Sequence, residues 1–132
     1  MGCDIHGRVE FYNCHTKTWL SGSRFGDRCY AMFAEMACVR GDGGHIPRGW
    51  PKDASQLAQI EKEEWEVDGH TYSWLTHDEM KAIVARIRKK FKADAYTYDR
   101  EWLVEGQYFD AADRYGEASV LTKCRYVFFF DN

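Results

Sequence analysis

The chain has 132 residues and a mass of 15.5 kDa, a length that fits one domain. Hydrophobic residues make up 45% of it and charged residues 30%, which excludes a disordered or fibrous chain. The net charge of -3 and the pI near 5.9 argue against a protein dedicated to duplex DNA, because such domains are usually basic. No apolar run approaches 18 residues, so the sequence predicts no membrane span.

The cysteines and the first residues bear on the compartment. The five cysteines are odd in number and include no Cys-x-x-Cys pair, so neither a disulfide framework nor a four-thiolate zinc site is expected. Asp4 lies where a secretory signal would carry basic and then apolar residues. His6 lies where a myristoylation signal has Ser or Thr. We therefore expect a soluble protein of the cytoplasm with reduced thiols.

The first third of the chain predicts a β-hairpin and then a helix. Polar and apolar residues alternate over 4–11, which is typical of a half-buried strand with a polar, solvated outer face. Residues 13–17 predict a turn and 18–20 a returning strand. Apolar residues then follow helical spacing over 27–40, with Asp27 as the N-cap. The residues expected on the buried side of this helix are Tyr30, Phe33, Ala34 and Ala37.

The middle of the chain predicts an ordered loop and a second helix. Glycines at 41–44 end the first helix, and two prolines stiffen the segment 45–51. A shorter helix is expected to begin at Asp53 or Ser55 and to end near Trp65. The residues expected to face inward from it are Leu57, Ile60 and Trp65.

The second half predicts a strand, a long helix and a final strand. Residues 70–75 have an extended pattern, and Thr76 with Glu79 forms the capping-box pattern that begins a helix. The apolar stripe of this helix comprises Met80, Ile83, Val84, Ile87 and Phe91. Residues 120–130 are β-branched and aromatic and predict a buried strand. Residues 96–116 receive no assignment.

These elements predict one compact α+β domain over residues 1–132. Its sheet is expected to be mostly antiparallel and to include the N-terminal and C-terminal strands, with two to three helices.

Acidic residues and histidines form a candidate metal site. Asp4 and His6 are two residues apart on a strand, so their side chains point the same way, about 7 Å apart. If the last strand pairs with the first, Asp131 lies near them, and His70 is a further ligand. Such oxygen and nitrogen donors suit a divalent metal such as zinc, manganese or magnesium. The alternative is a solvated strand face without a ligand.

Two arginines at the stiff loop form a candidate anion site. Guanidinium groups recognise phosphate or carboxylate through paired hydrogen bonds, and Arg40 and Arg48 are placed to do so. Trp50 or Trp74 would stack on a planar group, with Ser73 beside them. The alternative for Arg48 is an internal salt bridge that organises the loop.

The opening Met-Gly-Cys-Asp-Ile-His, followed by Glu10, resembles a group of small tailed-phage and prophage proteins. Segments 47–55, 70–76 and 127–132 are similar to the same group, with Trp50 where the group usually has leucine. The resemblance implies a phage-related origin and no particular activity. Seven of the candidate residues fall in these same segments, and we expect them to converge on one pocket: Asp4, His6, Arg48, Asp53, His70, Ser73 and Asp131.

The leading hypothesis is a phage accessory protein of the host cytoplasm whose pocket binds a small anionic, nucleotide-like ligand. A counter-defence role follows only by analogy. One alternative is a metal-dependent hydrolase, phosphodiesterase or nuclease, with His6, His70 and one or two of Asp4, Asp53 and Asp131 as ligands. A second alternative is a protein-binding inhibitor of a host defence factor. The sequence leaves open whether the protein is an enzyme and whether it is a homo-oligomer.

Overall fold

A computed structural model describes residues 2–26, 28–92 and 121–132. The expected N-cap Asp27 and the unassigned segment 96–116 lie outside them. The elements are β1 (Asp4–Asn13), β2 (Thr18–Phe25), α1 (Tyr30–Ala37), α2 (Gln56–Glu64), β3 (Gly69–Thr76), α3 (His77–Lys92) and β4 (Leu121–Asp131). The four strands form one antiparallel sheet in the order β2-β1-β4-β3. The predicted α+β fold, with its N-terminal and C-terminal strands in the sheet, is confirmed.

The central strands β1 and β4 hold the two ends of the chain together. Asp4 lies opposite Asp131, and the pairing continues to the far end of β1. One face of the sheet is apolar and is covered by α1 and α3. The buried residues between them include Val9, Phe11, Met32, Phe33, Met36, Leu75, Met80, Ile83, Val84, Ile87, Tyr126, Phe128 and Phe130. This layer is the hydrophobic core.

Helix α1 is shorter than the sequence predicts, and its buried side includes Phe33 and Ala37 as expected but not Tyr30 or Ala34. Cys29 is its N-cap, and Cys38 ends it with a left-handed backbone (φ 56°), before the glycines. Tyr30 is 37% exposed, whereas Met32 and Met36 are fully buried. The prediction was wrong because this side brings two methionines to the core together with the phenylalanine and alanine that were expected there.

Helix α3 begins as predicted. The Glu79 N–H donates to Thr76 Oγ1 at 3.2 Å, and the Thr76 N–H donates to Glu79 Oε1 at 2.9 Å. The two bonds satisfy donors at the start of the helix that have no partner within it. The predicted residues Met80, Ile83, Val84 and Ile87 are buried; the side chain of Phe91 lies outside the description.

Helix α2 begins after Ser55 as predicted, and Trp65 faces inward against His6 as expected, but the expectation for Leu57 and Ile60 was wrong. Ala58 and Glu61 are buried, whereas Leu57 is 48% and Ile60 43% exposed. The reason is that α2 packs over the second face of the sheet, which carries the charged side chains of β1. The polar face of β1 is therefore covered by α2 instead of being solvated, and Glu10 on it is fully buried.

No helix among residues 2–26, 28–92 and 121–132 is both long and apolar enough to cross a membrane. The five cysteines, all within this part of the chain, form no disulfide.

Candidate functional site

A buried ion cluster fixes the start of α2 on the sheet. Arg125 of β4 donates from Nε to Glu10 Oε1 at 2.6 Å, and from Nη2 to Asp53 Oδ1 at 3.1 Å. The Ser55 N–H donates to the second oxygen of Glu10 at 2.5 Å. A carboxylate as buried as Glu10 is tolerated only with such partners. The cluster therefore connects β1, β4 and the residues that precede α2.

A second cluster lies further along the same face, around His6. Its Nε2 is hydrogen-bonded to Asp131 Oδ2, and its Nδ1 lies 3.7 Å from Glu61 Oε1. The ring stacks between Trp65, at a centroid distance of 4.3 Å, and Phe129, at 5.1 Å. The pairing of the first and last strands that the Asp131 prediction required is thus present.

The surroundings of His6 favour its protonated form. Burial disfavours the charge and lowers the pKa of His6, but the contacts with Glu61 and Asp131 outweigh it, so the net pKa is raised. The contact with His6 lowers the pKa of Glu61 against the effect of burial, and the positive charges of Arg24 and Arg8 lower it further. His6 thus lies between two carboxylates, with Nε2 hydrogen-bonded to Asp131 and Nδ1 facing Glu61 at 3.7 Å.

The other residues of the predicted metal site have protein partners as well. Asp4 is bound by Arg28 through two hydrogen bonds of 2.8 and 2.9 Å. His70 contacts Thr71 Oγ1 at 2.8 Å and Asn132 Oδ1 at 3.2 Å. Within the described part of the chain no three His, Cys, Asp or Glu side chains are grouped so that they could hold a metal ion. The metal site stays a prediction from the sequence, and this geometry does not favour it.

Arg48, Ser73 and Trp74 come together, but around a protein carboxylate. The Arg48 guanidinium binds both oxygens of Glu79 and lies 4.6 Å above the Trp74 ring. The Arg48 N–H donates to the buried Ser73 Oγ at 3.0 Å, which attaches the loop to the edge of β3. The hydrogen bonds from Arg48 are the main reason that the pKa of Glu79 falls to about 2. The internal salt bridge considered for Arg48 is therefore present.

Arg40 and Trp50 contact other side chains. The Arg40 guanidinium lies 5.1 Å from the ring centroid of Tyr30, on α1. Trp50 Nε1 donates to Gln59 Oε1 of α2 at 2.9 Å. The five residues predicted to bind an anion therefore do not converge on one pocket.

A cavity of about 570 Å³ lies where the β1–β2 hairpin meets the first turns of α2. We call it the hairpin cavity. Its lining includes Lys17, Trp19, Asp53, Gln56, Gln59 and Glu63. The Trp19 ring has the Arg125 guanidinium at 4.0 Å and the Tyr12 ring at 5.2 Å.

Sequence reasoning missed the hairpin cavity as a site. Of the predicted site residues only Asp53, one of the alternative metal ligands, lines it. The available signal was an aromatic residue at the start of the returning hairpin strand, Trp19. The strand that carries Trp19 meets α2 through a contact between residues far apart in the chain: the Leu57 N–H donates to Ser21 Oγ at 3.1 Å.

Comparisons with protein-family models, with curated proteins and with solved structures gave no match to this chain. The similarity to small phage proteins stays an expectation from the sequence. The function has to be inferred from the residues themselves.

Proposed function

We propose that the protein binds a small, planar, nucleotide-like molecule in the hairpin cavity. The observation that carries this proposal is the cavity itself, at about 570 Å³, with Trp19 and the amides of Gln56 and Gln59 in its wall. Small-ligand sites typically measure about 300 to 1,000 Å³ and combine apolar or aromatic walls with a few polar groups. An indole offers a face for a planar ring, and the amide of Gln56 can pair with the polar edge of that ring.

The walls of the cavity are held in place before any ligand arrives. Arg125 contacts Trp19 on the hairpin and Asp53 ahead of α2, and it is itself fixed by the buried Glu10. On α2, Gln59 is held by the Trp50 Nε1–H and donates to Glu63 Oε1 at 3.3 Å. A site whose side chains are already ordered loses less conformational entropy on binding.

Binding is a better interpretation than hydrolysis at the predicted histidine–aspartate site, because the acid–base groups of that site have protein partners. His6 is held between Asp131 and Glu61, and Asp4 is paired with Arg28. A general base must reach a substrate proton with a free lone pair. The phage resemblance adds the proposal that such a protein sequesters its ligand in the host cytoplasm, as a counter-defence protein would.

The test is titration calorimetry with the four common ribonucleosides and their 5′-monophosphates. We expect at least one of them to bind, and Trp19→Ala to weaken that binding about tenfold or more, as loss of a stacking ring does. Trp74→Ala is the matched control, because Trp74 also has an arginine above its ring but lies outside the cavity lining. Circular dichroism checks that both variants fold. If no compound binds, or if the two variants weaken binding equally, the proposal fails.

A further inference from the structure

We infer that the hairpin cavity takes an uncharged nucleoside or nucleobase and disfavours its phosphorylated form. The inference rests on the proposed function and names the chemical class of the ligand. It starts from the charges in the wall. Among the described residues that line the cavity, Asp53 and Glu63 carry carboxylates, whereas Lys17 alone carries a positive charge.

The guanidinium of Arg125, which contacts Trp19, adds no net positive charge to the cavity. The Arg125 guanidinium lies 4.0 Å from the Trp19 ring centroid, does not line the cavity and binds two carboxylates, those of Glu10 and Asp53. The side chains of Glu10, Arg125 and Asp53 together carry a net charge of -1. A phosphate in the cavity would therefore meet a cation that the protein has already neutralised.

Two N–H groups at the start of α2, those of Ser55 and Leu57, already have protein acceptors. The positive end of a helix dipole usually attracts phosphate through the free N–H groups of the first turn. Here a Glu10 carboxylate oxygen accepts the Ser55 N–H, and Ser21 Oγ accepts the Leu57 N–H. A buried protein carboxylate therefore already lies at the positive end of this helix, which weakens the attraction of that end for a phosphate.

The two arginines that the sequence predicts as phosphate ligands do not compensate. Arg48 is bound to Glu79, and Arg40 lies over Tyr30 on α1, so neither lines the cavity. A phosphate monoester carries about -1.5 to -2 charges at neutral pH. Lys17 would have to balance it against two carboxylates, whereas a neutral base and ribose would meet no such repulsion.

The experiment compares each nucleoside with its own 5′-monophosphate by titration calorimetry at low salt. We expect the nucleoside to bind about tenfold more tightly, because like charges placed together oppose binding. Glu63→Gln should raise the affinity of the monophosphate and so reduce the ratio of nucleoside affinity to monophosphate affinity. Lys17→Gln should lower the affinity of the monophosphate and so increase this ratio. Added salt should narrow it in the unmodified protein, since mobile ions screen exposed charges.

Glu64→Gln is the matched control, because Glu64 is the next residue of α2, is exposed and does not line the cavity. It should leave the ratio unchanged. A monophosphate that binds as tightly as its nucleoside, or more tightly, overturns the inference and leaves the proposed function standing. If Glu63→Gln and Glu64→Gln shift the ratio equally, the charges of the lining do not set it and the inference is overturned. If no nucleoside and no monophosphate binds, the proposed function itself fails.

Discussion

Glu10 on β1 and Arg125 on β4 lie opposite each other in the sheet and form an ion pair that is almost completely buried. The same guanidinium reaches Asp53 ahead of α2 and lies over Trp19 of the hairpin. One side chain therefore joins the centre of the sheet to both walls of the hairpin cavity. Its loss should disturb stability and ligand binding together.

Replacement of Arg125 by methionine should be strongly destabilising. The change leaves the Glu10 carboxylate buried without its cation, which typically costs about 3 to 5 kcal/mol. The measurement is the free energy of unfolding in urea. Adding Glu10→Gln to the methionine variant should recover part of the loss, because the uncompensated charge is then gone. Arg28→Gln breaks an ion pair to the half-exposed Asp4 and serves as the control. A loss for Arg125→Met no larger than for Arg28→Gln would contradict the structure.

Stability should depend on pH through His6. Its contacts with Glu61 and Asp131 raise its pKa above the ordinary value near 6.5, against the opposing effect of burial. A group whose pKa is higher in the folded state binds protons more tightly there, so it stabilises the protein fully below its unfolded pKa. This contribution is lost as the pH rises from about 6.5 through the folded pKa.

The measurement compares the protein with His6→Gln in urea unfolding at several pH values. The stability advantage of the histidine should shrink as the pH rises through that window. Glu61→Gln removes one of the two carboxylates and should lower the pKa of His6, which a proton NMR titration follows directly. An advantage that grows with pH would show that His6 is not held as an imidazolium.

The ion pair between Arg48 of the loop and Glu79 of α3 should weaken as the pH falls. The pKa of Glu79 is depressed to about 2, chiefly by the hydrogen bonds from Arg48 and also by those of the Thr76 capping box, against the effect of burial. A carboxyl with a depressed pKa stabilises the protein above its unfolded pKa, and the contribution is lost as the pH falls through the folded value. Glu79→Gln should cost about 1 to 2 kcal/mol at neutral pH. The difference in unfolding free energy between the unmodified protein and Glu79→Gln should become smaller below about pH 4.5. A difference that stays constant down to pH 2 would show that the ionised Glu79 carboxylate is not its cause.

The features that the sequence predicted correctly depend on residues close together in the chain. The capping box of Thr76 and Glu79 spans three residues, and the buried stripe of α3 repeats every three or four. Strand β1 was recognisable from its alternation alone. Such patterns are visible because the same local geometry produces them in any fold.

The features that the sequence missed depend on pairs far apart in the chain. Glu10 and Arg125 are separated by 115 residues. An internal salt bridge was considered for Arg48, but its partner Glu79, 31 residues away, was not identified. Nothing local indicates that a polar strand face will be covered, so apolar Leu57 was expected inside and acidic Glu61 was not. The hairpin cavity was missed for the same reason, because its two walls come from separate segments of the chain.

The orientation of α2 can be tested with two matched leucine truncations. Leu57 is 48% exposed on α2, whereas Leu75 on β3 is fully buried in the core. Truncating a buried leucine to alanine usually costs about 2 to 5 kcal/mol, because apolar contacts are lost and a cavity remains. We expect that loss for Leu75→Ala and less than about 1 kcal/mol for Leu57→Ala, measured by urea unfolding. Equal losses would mean that α2 buries the apolar side predicted from its sequence, and that Glu61 does not face His6.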